Sequence, residues 1–135
     1  MTGTRDRDDY LDRVLVGGRE PVSTVTLLDY DTTWVDRFAA LQHDIMDTLG
    51  AAALSVQHIG SSSGLHVYEP TNRAVAAHLD LRDWLRVDST SRRRYATTKR
   101  RLAARQWSDM NHYADAKSEV IQELLAQARE WRLAT

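Results

Sequence analysis

The sequence predicts an α+β domain: a small, mostly antiparallel sheet of about three strands, one helix between the first two, and a helical C-terminal half. Three observations predict it. Residues 22–28 and 54–59 are short β-branched or alternating runs of strand length. Between them, Trp34, Phe38, Leu41, Ile45 and Leu49 recur at helical spacing. Beyond Pro70 the apolar residues keep helical intervals to the end of the chain.

The elements follow in order. Residues 6–15 suit a short acidic helix, which Gly17-Gly18 ends before Pro21 starts a new direction. Val22-Ser-Thr-Val-Thr-Leu-Leu28 reads as the first strand. Asp31, Thr32 or Thr33 can cap the helix that follows, and Gly50 stands where a left-handed C-terminal residue is expected. Leu54-Ser-Val-Gln-His-Ile59 alternates as a second strand and runs into Gly60-Ser61-Ser62-Ser63-Gly64. Leu65-His-Val-Tyr68 is a third, closed by Glu69-Pro70, and the short Gly/Ser connection suits a hairpin with the second. A helix over about 72–86 comes next; Asp88 or Ser89 can then cap a basic helix to about Arg105. The last helix starts near Ser108, with Met110, Tyr113, Val120, Ile121, Leu124, Ala128 and Trp131 as its apolar stripe. The division is 1–21 as an N-terminal extension, 22–69 as strand-helix-strand-strand and 70–135 as C-terminal helices, all one domain.

Composition excludes several classes. The chain has no cysteine, which removes disulfides and thiolate metal sites and fits a reducing cytoplasm. No apolar run reaches membrane-spanning length, and the polar start, Met1 to Tyr10, lacks the apolar core of a secretion signal. The expectation is a cytoplasmic protein without a membrane partner. Net charge is −1, yet residues 82–105 hold nine cations against Asp83 and Asp88, a local +7. Such asymmetry marks either a phosphate or nucleic-acid partner, or a solvated helical face balanced by acids elsewhere. Nucleic acid is not expected, because no aromatic or glycine pattern of a nucleic-acid module accompanies the cations.

Val56-Gln-His-Ile-Gly-Ser61 is the most informative stretch. A strand running into Gly-Ser lets the backbone turn tightly and brings amide groups and a hydroxyl against a phosphate. By itself such a pair is commonly a plain turn, and the dinucleotide and P-loop glycine fingerprints are both absent. Its neighbours add meaning. Asp29-Tyr-Asp-Thr-Thr-Trp34 with Phe38, His58-Ile-Gly-Ser-Ser-Ser63, Leu65-His-Val67, Leu81-Arg-Asp-Trp-Leu-Arg86, Tyr95-Ala-Thr-Thr-Lys99 with Leu102, and Tyr113-Ala-Asp-Ala-Lys117 stand in that order. In this the chain resembles the GrpB family, and Asp9-Tyr-Leu-Asp-Arg-Val14 with Gly17-Gly18-Arg19 resembles its stand-alone actinobacterial members.

The resemblance implies a nucleotidyltransferase-like ancestry and a nucleotide as substrate class. It also exposes a departure. In the family the His-Ile-Gly-Ser turn is followed by roughly fifty residues of mixed structure before the Leu-His-Val strand, whereas here Ser63 is followed at once by Gly64 and Leu65. Nucleotidyl transfer needs a divalent metal held by closely spaced carboxylates. The resemblance places these roughly ten residues beyond the turn, where this chain offers Pro70, Thr71, Asn72, Arg73 and Ala74. The later pair Asp80 and Asp83 can face one way on a helix, but such a pair ordinarily marks a solvated surface.

Catalytic residues and metal ligands are therefore not assigned, and no cofactor is expected; Mg2+ belongs only to an intact relative's site. His58 and His66 flank the turn but need a third ligand, with Glu69 or His78 nearest, and His43 and His112 read as ordinary helix positions. The candidate phosphate or nucleotide-binding residues are His58, Gly60, Ser61, Ser62, Arg82, Lys99 and Lys117, the last three also suited to structural pairing with Asp83, Asp115 and Glu119. Tyr95 and Tyr113 read as core or hydrogen-bonded tyrosines. The expected function is nucleotide or phosphate binding without transferase activity. The competing reading is an interaction module whose basic helix 89–105 docks an acidic protein or a nucleic acid. A sheet this small leaves an edge and apolar surface, so a second copy of the chain is a further expected partner.

Overall fold

A computed structural model describes residues 24–60 and 66–135. The expected helix 6–15, residues 22–23, the serines of the Gly-Ser turn and Leu65 lie outside the described residues. Five α-helices are present among them: α1 (Thr33–Leu49), α2 (Arg73–Val87), α3 (Ser89–Ala103), α4 (Met110–Ala116) and α5 (Ser118–Ala134).

Local chemistry sets most of the boundaries. Asp31 accepts from the backbone N–H and the hydroxyl of Thr33 ahead of α1, and Gly50, at φ +51°, ends it. A short 3-10 turn, Gly50–Ala52, follows. Asn72 caps α2 by accepting from the N–H of Ala74. Asp88 caps α3 by accepting from the N–H of Ser91 at 2.6 Å, which separates α2 from α3 without a loop. Asp109, itself buried, caps α4 by accepting from the N–H groups of Asn111 and His112. The single C-terminal helix expected from Ser108 onward is thus two, divided at Lys117.

The core is helical. α5 packs along α2 and touches α3 and α4, with Leu124 and Ala128 completely buried and Val120 nearly so. Trp84 of α2 meets Trp131 of α5 with ring centroids 5.9 Å apart. Leu102 and Tyr113 form a second buried group with Val25, against which Ala103 and Trp107 pack. Val25 carries the N-terminal extended stretch onto the helices. No helix among the described residues is long and apolar enough to cross a membrane.

The α+β expectation is corrected: the described residues contain no strand and no sheet. The described parts of the three expected strands, 24–28, 54–59 and 66–68, are extended but form no ladder. β-branched composition reports how well a stretch fits a pleated, half-buried surface, and that surface exists only when neighbouring strands supply it. Here the helices bury their apolar faces on one another, so no helical layer is left to cover a sheet. Each extended stretch is held by side chains instead. Val25 enters the core, Gln42 Nε2 donates to the carbonyl of Val56 at 2.8 Å, and His66 and Tyr68 stack beside His78.

α1 is the exception to this packing. It rests on its own 3-10 turn and on the stretch that follows, and among the described residues it packs against none of the other helices. None of its residues is buried.

Candidate functional site

Five of the seven sequence candidates lie among the described residues, and they fall into two groups. The first surrounds the Gly-Ser turn. Arg82 of α2 donates through Nε to Asp83 Oδ1 at 2.7 Å and through Nη1 to Gln57 Oε1 at 3.1 Å. A longer contact, 3.5 Å, reaches the carbonyl of His58. The His58 imidazole faces the ring of Phe38, with centroids 5.2 Å apart. Arg82 therefore pins the stretch before the turn onto α2. Gly60 has φ +129°, a backbone conformation that favours glycine, although a Cβ there would meet nothing within 4 Å. Ser61 and Ser62 lie outside the described residues.

The neighbouring carboxylates are committed to an arginine. Asp80 and Asp83 face the same way, as their spacing on α2 requires, and both meet Arg132 of α5. Arg132 reaches Asp80 Oδ1 at 3.0 Å and Asp83 Oδ2 at 3.0 Å. Asp83 is held below the ordinary carboxylate range, chiefly by the hydrogen bond from Arg82 and further by Arg132, with burial opposing. Among the described residues no group of three or more His, Cys, Asp or Glu could hold a metal ion.

The second group lies where α3 meets α4 and the start of α5, and its logic is a repeated spacing. Tyr95 and Lys99 are four apart on α3; Tyr113 and Lys117 are four apart at the end of α4. That interval stacks the two side chains on one helical face. Lys117 Nζ stands 4.2 Å from the Tyr113 ring centroid, and Lys99 Nζ stands 5.6 Å from that of Tyr95. Helix packing then brings the pairs together. Burial lowers both lysines from their ordinary value, and the charge of Lys99 lowers Lys117 further. Burial likewise raises both tyrosines, with Tyr113 adding to the effect at Tyr95.

Tyr113 completes the group. Only 4% of it is exposed, and its phenolic oxygen is buried without a hydrogen-bond partner among the described residues. A buried hydroxyl in that position costs free energy unless a ligand or water meets it. The sequence reading expected a core or hydrogen-bonded tyrosine and missed this open donor. The signal was present in the shared Tyr-x-x-x-Lys spacing, which only the packing of α3 on α4 turns into one cluster.

Most guanidiniums of the basic stretch have internal work. Arg92 Nη1 donates to the carbonyls of Leu85 and Arg86, where α2 ends. Arg94 pairs with Glu123, and Arg105 lies 5.0 Å from the Trp107 ring centroid. The local +7 is thus partly the mortar of the helical layer.

The described residues thus form a helical core with an extended stretch pinned on α2 and a lysine-tyrosine cluster at the α3–α4 junction. Comparison with known proteins gives the family. The model of the GrpB protein family matches residues 62–127, a range that contains both Tyr-Lys pairs. The chain is similar to the UPF0157 protein of Halalkalibacterium halodurans, 28% identical over 178 residues that take in 90% of this chain and 91% of that one. It is similar also to a UPF0157 protein of Streptomyces coelicolor, 37% identical over 97 residues, 64% of this chain and 52% of the relative. A third relative, YqkA of Bacillus subtilis, is 35% identical over 68 residues, 50% of this chain and 20% of its own length. The chain belongs to the GrpB family. No solved structure matches it.

The alignment with the Halalkalibacterium protein carries one more fact. It spans 178 positions, of which this chain can fill at most 135, so at least 43 have no counterpart here.

Proposed function

We propose that this GrpB-family chain binds a phosphate-bearing small molecule, of which a nucleotide is the leading example, at Tyr95, Lys99, Tyr113 and Lys117. The observation that carries the reading is the meeting of two half-buried lysines beside a buried phenol donor that has no partner among the described residues. Two like charges drawn out of water and toward each other are unfavourable, and a bound anion reverses the sign of that interaction. Phosphate oxygens accept charge-assisted hydrogen bonds from ammonium and phenol alike. The surrounding positive field raises the local anion concentration.

Binding without transfer fits the carboxylates. Nucleotidyl transfer runs through metal held by acidic side chains, and Asp80 and Asp83 are turned to Arg132. At least 43 residues of a long relative have no counterpart in this chain, in keeping with a lost metal-bearing segment after the Gly-Ser turn.

Isothermal titration of the full chain with ATP, with and without magnesium, and with inorganic pyrophosphate tests the proposal. Saturable heat that persists without magnesium and weakens about tenfold or more in Lys117→Met supports it, a loss in line with one charge-assisted contact. Absence of heat with every phosphate compound ends it.

A further inference from the structure

We infer that the extended stretch 24–28 is a strap closed on Tyr113, with Val25 as its latch, and that a phosphate-bearing ligand enters the lysine-tyrosine cluster by lifting it. The inference rests on the phosphate reading above and adds what regulates access to that site.

Tyr113 makes such a device necessary. Only 4% of the residue is exposed, and its phenolic oxygen is sealed from solvent without a hydrogen-bond partner among the described residues. An atom that water cannot reach is closed to a phosphate oxygen too. Something packed on Tyr113 therefore has to move before phenol and anion meet.

The neighbours of Tyr113 differ in what holds them. Leu102 and Ala103 belong to the last turn of α3, where helical hydrogen bonds fix the backbone. Trp107 donates its indole N–H to the carbonyl of Leu102 at 2.8 Å and meets the Tyr113 ring edge-on, with centroids 5.8 Å apart. Lys117 stands over the same ring but is one of the ligand's own contacts. Val25 has no tether of this kind. Residues 24–28 are extended without a ladder, and none makes a backbone–backbone hydrogen bond to another described residue. Thr24, Thr26, Leu27 and Leu28 are exposed, so among the described residues one buried side chain holds the stretch down. The strap leads on to α1, which packs against no other helix among the described residues. It can lift without separating any two of them.

One apolar latch has the strength a gate needs. Burying a single valine shifts an open–closed equilibrium by roughly ten- to a hundredfold, enough to keep the strap closed and too little to lock it. Ligand and latch compete for Tyr113, and such coupling is reciprocal. The ligand favours the lifted strap, and a weaker latch tightens ligand binding.

The chain has no cysteine, so Val25→Cys places a single thiol at the latch. Its reaction with a thiol reagent is expected to be about tenfold or more slower in the folded protein than in urea, the scale of burying one aliphatic side chain. Saturating pyrophosphate is expected to speed it. Isothermal titration reads the converse effect in Val25→Ala and in Val25→Thr, which keeps the shape of valine and leaves no cavity. Both are expected to bind pyrophosphate tighter than the parent, Val25→Ala by about tenfold. A thiol that pyrophosphate slows or leaves unchanged, or parent-like affinity in both variants, overturns the strap and leaves the phosphate reading standing. Absence of heat in the parent itself ends both.

Discussion

Trp84 donates its indole N–H to the hydroxyl of Ser91 at 3.0 Å, joining the last turn of α2 to the first turn of α3. Ser91 in turn donates to Gln127 Oε1 of α5 at 3.1 Å, so one buried hydroxyl ties three helices. Removing it leaves the indole N–H without its acceptor in a half-buried place. Ser91→Ala is expected to cost about 1–3 kcal/mol, the usual penalty for stranding buried polar partners. Urea unfolding followed by circular dichroism measures it, and Ser91→Thr, which keeps the hydroxyl, is expected to lose less.

Asp83 links the packing of α2 on α5 to acidity. Its folded carboxyl titrates below its unfolded value, first because Arg82 donates to it and then because Arg132 does. Such a group contributes stability that is fully present above about pH 4 and is lost as pH falls through the folded value. Asp83→Asn is expected to lower stability at pH 7 by about 0.5–1 kcal/mol, the scale of a solvent-screened pair. At pH 3 the gap between variant and parent is expected to shrink. Denaturant curves at both pH values check the sign.

How much of this was legible follows from which forces act locally. Gly50 stopped α1 and Asp88 split α2 from α3 as expected, because caps and left-handed turns are decided within a few residues. The break at Lys117 was not legible: Tyr113 and Val120 are seven apart, two helical turns, so the apolar stripe runs through it unchanged. The strands were not legible either, since 54–59 has the composition of a strand but not the neighbours. At the site, the sequence supplied Lys99 and Lys117 through family resemblance. That they share one half-buried cluster with Tyr113 depends on how α3 meets α4, a non-local fact.

His78 makes the extended stretch 66–68 sensitive to mild acid. It faces the His66 ring at a centroid distance of 5.7 Å, and its Nε2 lies 3.2 Å from the Tyr68 hydroxyl. Its value is lowered, first by burial and then by the charge of His66. The unfolded state therefore takes up a proton at a higher pH than the folded one. Stability is full above the unfolded value near pH 6.5 and declines as pH falls below it. Thermal midpoints from pH 7.5 to 5 are expected to decrease in the parent. In His78→Phe, which keeps a ring but cannot titrate, that part of the slope is expected to vanish.

Lys99 and Lys117 give the phosphate reading its own pH signature. Both are lowered by burial, so on raising pH the folded protein releases their protons before the unfolded chain does. Without ligand, stability contributed by these groups rises as pH moves up through the folded values toward 10.5. A bound phosphate favours the protonated lysines and works in the opposite direction, so its affinity is expected to fall over that same interval. Pyrophosphate at about 100 times its dissociation constant is expected to add about 2.7 kcal/mol at pH 8. Much less is expected near pH 10.5, where the cluster has lost charge. Lys117→Met is expected to remove the pyrophosphate effect at pH 8 and leave the ligand-free protein at least as stable as the parent, because it also removes the repulsion with Lys99. Thermal unfolding of both proteins with and without pyrophosphate, at pH 8 and 10.5, yields all four quantities. Equal stabilisation of parent and variant would place the anion elsewhere on the basic face.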